Sequence, residues 1–567
     1  AAVATRSEQV TAEQGVLTGS SGLTPIQHWF FDTDVPARQH WNQALVLKPL
    51  QLLEPHRLEQ ALLAVLEHHD ALRLSFTRRH AQWHAEHLAV PQGGVLMQAQ
   101  VRDMAQCTAL FTDTQRSLDL EHGPLLRALL VDGPEGQQRL LIAIHHLVVD
   151  GVSWRVLLED LQNVYRQLSE GQSVSLPAKT SALRDWAARL QAYASSESLR
   201  EELNVWQDQL AGPAVALPVD RAQGSLRNRD AETVSVRLDA EHTRQLLQQA
   251  PSAYRTQVNA LLLPALARVL CRWSGHDSAL IQLEGHGRET LFDEIDLTRS
   301  VGWFTSAYPL RLTPQAEQGD SIKAIKEQLR AIPNKGIGYG VLRYLGDDAT
   351  RRSLAGLAQG SILFNYLGQF DTSFDAEDAL FVPSAESRGD MQSADAPLDA
   401  LISVSGQVYA GQLELNWRFS TAVFERPLLQ ALADQYAAEL RQLIAHCLDS
   451  DAVGATPSDF PLASLDQQQI DGLPIALAEI ADIYPLSPMQ QGMLFHSLYA
   501  KEAGNYINQL RVAVEGLDAL RLRDAWQALL DNHEVLRSVF ITDGAQPLQV
   551  VQRRVQLPFS ELDARDQ

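Results

Sequence analysis

HHLVVDG at His145–Gly151 is the most informative stretch of the sequence, and it follows the apolar run Leu140–Ile144. A continuous apolar run of this length predicts a buried strand. Reactive groups of α/β proteins often stand where such a strand ends and a loop begins. The next segment, Ser153–Leu168, carries apolar residues at helical spacing, and Ser153 is suited to cap the helix. This order of strand, loop and helix favours an α/β fold.

The two adjacent histidines are expected to have different roles. Successive side chains of a strand point to opposite faces, so one histidine at most faces a given cleft, and the other packs. A histidine in a cleft has a pKa suited to proton transfer. Asp150 can orient an imidazole ring or pair with an arginine. Two histidines and an aspartate are also possible metal ligands. No partner stands at metal-ligand spacing, however, so we expect no bound metal.

A second motif, EGHGRE at Glu284–Glu289, follows a strand predicted at Ser278–Leu283. Its two glycines allow the backbone to turn sharply and to approach a ligand. Glu284 stands at the strand exit, where partial burial would raise its pKa and make it a better base. Arg288 and Glu289 are explained equally well as charged turn residues that pair with neighbours.

A third motif, FNYLGQ at Phe364–Gln369, places polar side chains within an apolar run. Asn365 and Tyr366 could aim a polar group at a ligand carbonyl. They could equally be satisfied polar groups of a buried strand. A further strand is predicted at Trp303–Leu312, so strands and helices alternate along the chain. This alternation suggests α/β layers in two lobes.

Composition and charge restrict the class of protein. The 567 residues carry 47 Lys and Arg against 69 Asp and Glu, a formal net charge of −22. The acid excess argues against a general nucleic-acid binder, although a local basic patch could still dock an acidic protein. Three widely spaced cysteines fit neither a disulfide framework nor a metal site, which favours a cytoplasmic protein. We find neither a signal segment nor an apolar stretch long enough to span a membrane.

Two stretches of small, polar or turn-forming residues predict linkers, at residues 1–22 and 451–480. The chain begins with Ala1 rather than Met. We therefore expect it to be part of a longer protein.

An internal repeat connects the blocks on either side of the second linker. LTPIQ at Leu23–Gln27 matches LSPMQ at Leu486–Gln490, and Leu58–Phe76 aligns without a gap with Leu522–Phe540. Such self-similarity indicates a repeated structural unit. We therefore expect residues 481–567 to be the truncated start of a second copy of the first domain.

Together the motifs resemble those of an epimerization domain of a nonribosomal peptide synthetase, a member of the condensation-domain superfamily. HHxxxDG is shared across the superfamily, whereas EGHGRE and FNYLGQ together resemble the epimerization branch. DLTRSVGWFTS at Asp296–Ser306 belongs to the same set of motifs. The resemblance covers about Leu23–Ser450. Tyr484–Phe495 resembles the start of a condensation domain that accepts a D-configured donor, and Ala1–Ala4 resembles the end of a carrier protein's last helix.

The resemblance implies two chloramphenicol-acetyltransferase-like lobes that form a V-shaped pseudo-dimer with the active site in the cleft between them. The N-terminal lobe would span residues 23–175 and the C-terminal lobe residues 176–450. His146 and Glu284 would face each other across the cleft as the two acid/base groups of an L-to-D inversion. Supporting or substrate-positioning roles are expected for His145, Asp150, Ser153, Trp154, Arg299, Ser306, Asn365 and Tyr366.

The resemblance also implies more specific roles. Asp150 is expected to be structural and to pair with Arg299, and His145 is expected to support or pack. Asn365 and Tyr366 are candidates for holding the thioester or stabilising enolate charge.

The implied substrate is an aminoacyl or peptidyl thioester on the 4′-phosphopantetheine of an upstream carrier protein. The chain itself would bind no cofactor and no metal. A downstream condensation domain in the same polypeptide is the second implied partner. We expect a monomer that binds neither nucleic acid nor a membrane.

Two other functions remain open. A condensation domain would use His146 to promote amine attack on a thioester, and a silent module would only dock carrier proteins. The EGHGRE setting of Glu284 favours epimerization, because amide-bond formation does not require it. Intact His146, Asp150 and Glu284 argue against a silent module. A serine hydrolase is disfavoured, since Gly151–Arg155 lacks the second glycine of a nucleophile elbow.

Overall fold

The computed structural model of the chain describes residues 12–212, 215–369, 379–449, 453–499, 506–542 and 546–563. The resemblance of Ala1–Ala4 to a carrier protein lies outside these ranges. Within them, no helix is both long and apolar enough to cross a membrane. Cys107, Cys271 and Cys447 are all free thiols.

The chain separates into two compact units. The first comprises Ala1–Gln245, Leu262–Pro314 and Ala331–Gln442, and the second comprises Leu246–Leu261, Gln315–Arg330 and Leu443–Gln567. Both histidines of HHLVVDG and the whole of EGHGRE and FNYLGQ belong to the first unit.

The helices of the described ranges follow in chain order. They are α1 (Pro25–Asp32), α2 (Pro55–His68), α3 (Cys107–Arg116), α4 (Gly151–Ser169), α5 (Leu183–Tyr193), α6 (Glu197–Gln209), α7 (Ala240–Gln248), α8 (Ala250–Ala253), α9 (Asn259–Ser274), α10 (Gln318–Arg330), α11 (Ile337–Leu345), α12 (Asp348–Ala355), α13 (Arg426–Leu448), α14 (Gln467–Asp471), α15 (Pro488–Tyr499) and α16 (Ala519–Asn532).

The strands of the same ranges alternate with these helices. They are β1 (Gly19–Ser21), β2 (Asn42–Pro49), β3 (Leu74–Arg79), β4 (Gln82–His87), β5 (Leu96–Gln100), β6 (Leu126–Asp132), β7 (Gln138–His145), β8 (Ala231–Arg237), β9 (Ala279–Gly285), β10 (Ser306–Leu312), β11 (Ile362–Gln369), β12 (Phe381–Pro383), β13 (Ile402–Tyr409), β14 (Gln412–Ser420), β15 (Ile480–Pro485), β16 (Ser538–Ile541) and β17 (Leu548–Gln552).

One sheet of the first unit carries the histidines. Its strands lie in the order β12-β2-β7-β6-β5, and the apolar run Leu140–Ile144 of β7 is buried, as its sequence predicts. β7 pairs antiparallel with β2, with His145 opposite Asn42 and Ile144 opposite Gln43. The exit of β7 and the beginning of β2 therefore lie together at one end of the sheet.

A second sheet of the first unit carries Glu284 and Asn365. Its order is β10-β9-β11-β13-β14-β8. β9 and β11 run parallel, with Leu283 paired to Phe364, so the next residues, Glu284 and Asn365, lie side by side. The carboxyl ends of parallel strands are a common position for ligand sites.

Helix α4 leaves the histidine loop and is capped by Asp150, so the predicted cap at Ser153 is wrong. The Asp150 carboxylate accepts a hydrogen bond from the Ser153 backbone N–H at 2.9 Å. Ser153 already lies in the first helical turn, and its hydroxyl is left for other contacts. The apolar face of α4 packs on α2 and buries Val156, Leu157, Leu161 and Val164.

The internal repeat has the same local structure in both copies. α2 precedes the hairpin β3–β4, and α16 precedes the hairpin β16–β17. Arg73 and Arg537 stand at equivalent positions. Arg73 donates to the Leu88 carbonyl at 2.6 Å and Arg537 to the Arg553 carbonyl at 2.7 Å, in each case just after the second strand of the hairpin.

The second unit has its own core, and the stretch interpreted as a linker contributes to it. Lys326 of α10 is buried and donates to Asp459 at 2.5 Å and to the Tyr254 carbonyl at 2.8 Å. The sheet β15-β17-β16 packs on the same stretch. Together they form an apolar cluster of Ala455, Phe460, Ala463, Ile470, Ile480, Ile483, Leu548 and Val550. Much of the region 453–480 is therefore ordered and packed.

Candidate active site

Asp150 is the centre of a buried polar cluster. Besides capping α4, its carboxylate accepts two hydrogen bonds from the Arg288 guanidinium, at 2.7 and 2.9 Å, and one from the Phe304 backbone N–H at 3.0 Å. The side chains of Asp150 and Arg288 are each only 6% exposed. The Arg288 guanidinium also lies 4.3 Å from the centre of the Phe304 ring. A two-pronged pair of this kind fixes orientation as well as charge.

The expected pairing of Asp150 with Arg299 is wrong, because Arg288 occupies that position. Arg299 instead donates to Asp160 at 2.6 Å and to Glu159 at 3.1 Å. Asp160 lies ten residues after Asp150 in the sequence, which places it about 15 Å further along α4 at 1.5 Å per residue. One arginine cannot reach both carboxylates.

The described residues contain one group of side chains with metal-ligand chemistry, His68, His69 and Asp160. Asp160 is fully buried, and each of its oxygens already has a partner. His69 lies 2.8 Å from one oxygen and Arg299 2.6 Å from the other. The buried Asp160 carboxylate thus forms an ion pair with Arg299 and a hydrogen bond with His69.

The loop between β9 and β10 connects Glu284 to the Asp150 cluster. Gly287 has φ +68°, and a Cβ there would lie 1.7 Å from the Phe304 carbonyl oxygen, so only glycine fits. The Ser153 hydroxyl accepts hydrogen bonds from the Gly302 N–H at 3.1 Å and from Arg288 at 2.9 Å. The chain that leaves Glu284 is thus held twice against the start of α4.

His145 is the last residue of β7 and is packed inside the protein. Its Nδ1 accepts from the Leu147 N–H at 3.2 Å, so Nε2 carries the proton and donates to the Arg38 carbonyl at 2.7 Å. Its ring packs edge-on against Phe30. Burial lowers the pKa of His145 to about 3, so the ring is neutral.

His146 is partly accessible and has polar contacts on both nitrogens. Its Nδ1 lies 2.8 Å from the Val149 carbonyl and its Nε2 lies 3.0 Å from the amide nitrogen of Gln43. The Trp303 ring centre lies 4.3 Å from the imidazole centre at an angle of 31°. Burial lowers the pKa of His146, while the charge of nearby Asp150 acts in the opposite direction.

Glu284 is the other group with proton-transfer chemistry. The Asn365 amide donates to its Oε2 at 2.5 Å. Burial raises the pKa of Glu284 to about 7, the like charge of Asp399 adds to the shift, and the hydrogen bond from Asn365 opposes it. A carboxyl group that titrates near neutral pH can act as acid or as base.

Of the remaining predicted residues, Ser306 and Tyr366 lie on the sheet that carries Glu284, and Trp154 lies on α4. Ser306 begins β10 and pairs with Gly285. Tyr366 follows Asn365 on β11, and successive strand residues point to opposite faces, so the two side chains do not reach the same group. Trp154, in the first turn of α4, donates from its indole N–H to the Gln43 amide oxygen at 2.8 Å.

Gln43 and Asp399 are site residues that the sequence did not single out. Gln43 is followed by the apolar run Ala44–Leu47 of β2, and a polar side chain beside such a run is the available signal. Its contact with His146 depends on the pairing of β2 with β7, which brings together residues that are far apart in sequence. Asp399 precedes β13 without any motif around it.

The chain matches the family model described as the condensation domain, over residues 19–465 and again over 480–567. It is 45% identical over 567 residues to one of the linear gramicidin synthase subunits of Brevibacillus parabrevis. It is 42% identical over 576 residues to another of the subunits of the same synthase. These alignments cover 98% and 100% of this chain, but only 7% and 11% of the relatives.

Among solved structures, the chain is similar to the epimerization domain from the third module of tyrocidine synthetase B. The TM-score is 0.73 and the identity 36%, over 77% of this chain and 100% of that domain. The predicted α/β class and chloramphenicol-acetyltransferase-like fold are therefore confirmed.

Proposed function

Because this chain belongs to the condensation-domain family, we propose that residues 23–450 form an epimerization domain. It inverts the Cα of an aminoacyl or peptidyl thioester carried on the phosphopantetheine of a carrier protein. The observation that carries the proposal is Glu284, a partly buried carboxyl group with a pKa of about 7, held by Asn365 at the end of β9. A peptide-bond-forming reaction needs no such group.

The proposed reaction is a proton exchange at one carbon. The thioester acidifies the adjacent Cα–H, one base removes this proton and leaves an enolate, and a second group returns a proton to the opposite face. Inversion therefore needs two proton-transfer groups with different protonation states. His146 and Glu284 are these groups in the proposal, and no bound cofactor or metal takes part.

The other site residues have supporting roles in this proposal. The pair of Asp150 and Arg288 holds the loop that follows Glu284 against the segment His146–Asp150, which connects β7 to α4. Asn365 orients Glu284, because its amide N–H is directed at that carboxyl group. The role of Tyr366 in holding the thioester stays a prediction.

The proposed partners follow from the similarity to large peptide synthases. An upstream carrier protein would supply the loaded phosphopantetheine, and residues 481–567 would begin a downstream condensation domain. The similarity of residues 480–567 to the condensation-domain family supports the second assignment.

A condensation activity is the alternative, because the family match itself is to the condensation domain and His146 with Asp150 would serve amine attack equally well. Product analysis separates the two functions. Epimerization changes the stereochemistry and makes no new peptide bond, whereas condensation makes a bond without inversion.

The test uses a carrier protein loaded with an L-aminoacyl thioester that carries deuterium at Cα. We expect loss of deuterium and formation of the D-isomer, slowed about 10²–10⁴-fold in Glu284→Gln and in His146→Ala, as is typical for acid/base groups. Glu121→Gln and His122→Ala make the same changes at exposed positions and should have no effect. Exchange at the wild-type rate in both site variants would refute the assignment.

A further inference from the structure

We propose that Gln43 and Trp154 are positioning residues that hold His146 neutral, with its proton on Nδ1 and with Nε2 as the atom that accepts the substrate proton. The inference rests on the proposed function only for its catalytic consequence. The hydrogen-bond chain itself is a property of the folded protein.

One end of this hydrogen-bond chain is a group that can only accept a hydrogen bond. The Val149 carbonyl can only accept, and it lies 2.8 Å from His146 Nδ1. Nδ1 must therefore carry a proton. In the neutral ring, Nε2 is then an unprotonated acceptor.

The other end of the hydrogen-bond chain is a group that can only donate a hydrogen bond. The Trp154 indole N–H can only donate, and it lies 2.8 Å from the side-chain oxygen of Gln43. This contact determines which way the Gln43 amide points, so its NH₂ group faces His146 Nε2 at 3.0 Å. All bonds run in one direction, from Trp154 through Gln43 and His146 to Val149.

A second proton on His146 breaks this chain. Nε2–H would then face the Gln43 N–H, donor against donor. Rotating the Gln43 amide relieves that clash but turns its NH₂ group toward the Trp154 N–H. No orientation of the amide satisfies both neighbours when the imidazole is charged.

Other groups near His146 act in both directions. The Asp150 carboxylate and the Trp303 ring favour a charged imidazole, but Arg288 pairs with Asp150 and neutralises most of its field. His145, on the preceding position, is neutral. Burial adds to the preference for a neutral ring.

The catalytic consequence concerns the order of the proton transfers. A neutral His146 can remove the substrate proton only if Nε2 leaves Gln43, so a bound substrate must displace this amide. Glu284 must then be the protonated partner that delivers a proton to the opposite face. After the inversion His146 is an imidazolium and Glu284 a carboxylate. Once Gln43 returns, the imidazolium has no acceptor at Nε2, which favours loss of its proton to solvent, and Glu284 takes up a proton from solvent before the next turnover.

The test follows His146 directly by NMR of the full chain with ¹⁵N-labelled imidazoles, without substrate. We expect the neutral Nδ1–H form in the wild type. Gln43→Glu offers an acceptor to both Trp154 and the charged imidazole, so the His146 titration midpoint should rise by about 1–3 pH units, as for an opposite charge in contact. Gln98→Glu, the same change on an exposed strand position, should leave it unchanged.

Trp154→Phe is the second variant, because it keeps an aromatic side chain at this buried position and removes the indole N–H. It frees the Gln43 amide to rotate, so the midpoint should rise by less than in Gln43→Glu. An Nε2–H tautomer in the wild type, or an unchanged midpoint in both variants, would overturn the inference. If the titrations behave as expected but the Cα of no carrier-bound substrate is inverted, the proposed function is wrong while the hydrogen-bond arrangement around His146 is supported.

Discussion

Replacing Arg288 by methionine should destabilise the first unit strongly. The change keeps much of the side-chain volume but leaves the Asp150 carboxylate buried without its charged partner. Both side chains are 6% exposed, and the two hydrogen bonds to the Asp150 carboxylate, at 2.7 and 2.9 Å, are lost together with the bond to the Ser153 hydroxyl. Removing one member of a buried pair typically costs about 3–5 kcal/mol.

A matched variant sets the scale for this prediction. Arg237 pairs with Glu414 on neighbouring strands of the same unit, but its side chain is 64% exposed. Arg237→Met should cost at most about 1 kcal/mol, since exposed pairs contribute little. The difference between the two arginine variants therefore measures burial rather than loss of an arginine.

The assay is urea unfolding followed by tryptophan fluorescence, because Trp154 and Trp303 lie beside the cluster. Asp150→Asn and the double variant with Arg288→Met complete a thermodynamic cycle. The double variant should lose less free energy of unfolding than the two single variants lose in sum. With Asn at position 150, Arg288→Met no longer leaves a buried carboxylate without its partner. Additive losses, or a loss in Arg288→Met no larger than in Arg237→Met, would refute this account of the cluster.

Three further outcomes concern the glutamate side of the site. The raised pKa of Glu284 means that the folded chain keeps a proton which the unfolded chain releases, so stability falls as the pH rises from 4.5 to about 7. Glu284→Gln should therefore gain stability relative to the wild type across that window, as measured by urea unfolding below and above it. Asn365→Leu removes the bond that favours the carboxylate, so the Glu284 titration followed by ¹³C NMR should move to higher pH. Gly287→Ala should abolish isotope exchange and lower the melting temperature, since its Cβ would lie 1.7 Å from the Phe304 oxygen, and wild-type behaviour would show that the loop can relax.

Local sequence patterns predicted the elements that carry the site, because each depends on neighbours in the chain. The apolar run before His145 predicted β7, and the helical spacing of apolar residues after Ser153 predicted α4. The position of Glu284 at a strand exit was equally readable. Its partner Asn365 was noticed only as a polar residue in a strand, since the contact depends on the parallel pairing of β9 with β11.

Contacts between distant segments could not be predicted from the sequence. Arg288 and Arg299 lie in the same loop, and the sequence does not show which one reaches Asp150; Gly287, with φ +68°, turns the backbone just before Arg288. The predicted strand Trp303–Leu312 begins later, at Ser306. The Phe304 N–H is bonded to Asp150 and not to a neighbouring strand.

The apolar cluster of the second unit bears on where such chains can be recombined. Its side chains come from both sides of the gap between the two family matches, which end at 465 and resume at 480. Ile470 lies within that gap and is buried in the same cluster. A junction placed anywhere in this gap would join halves of an apolar core from two parents. Domain exchange should therefore keep the cluster residues from Ala455 to Val550 from one parent, or match the cluster side chains across the junction.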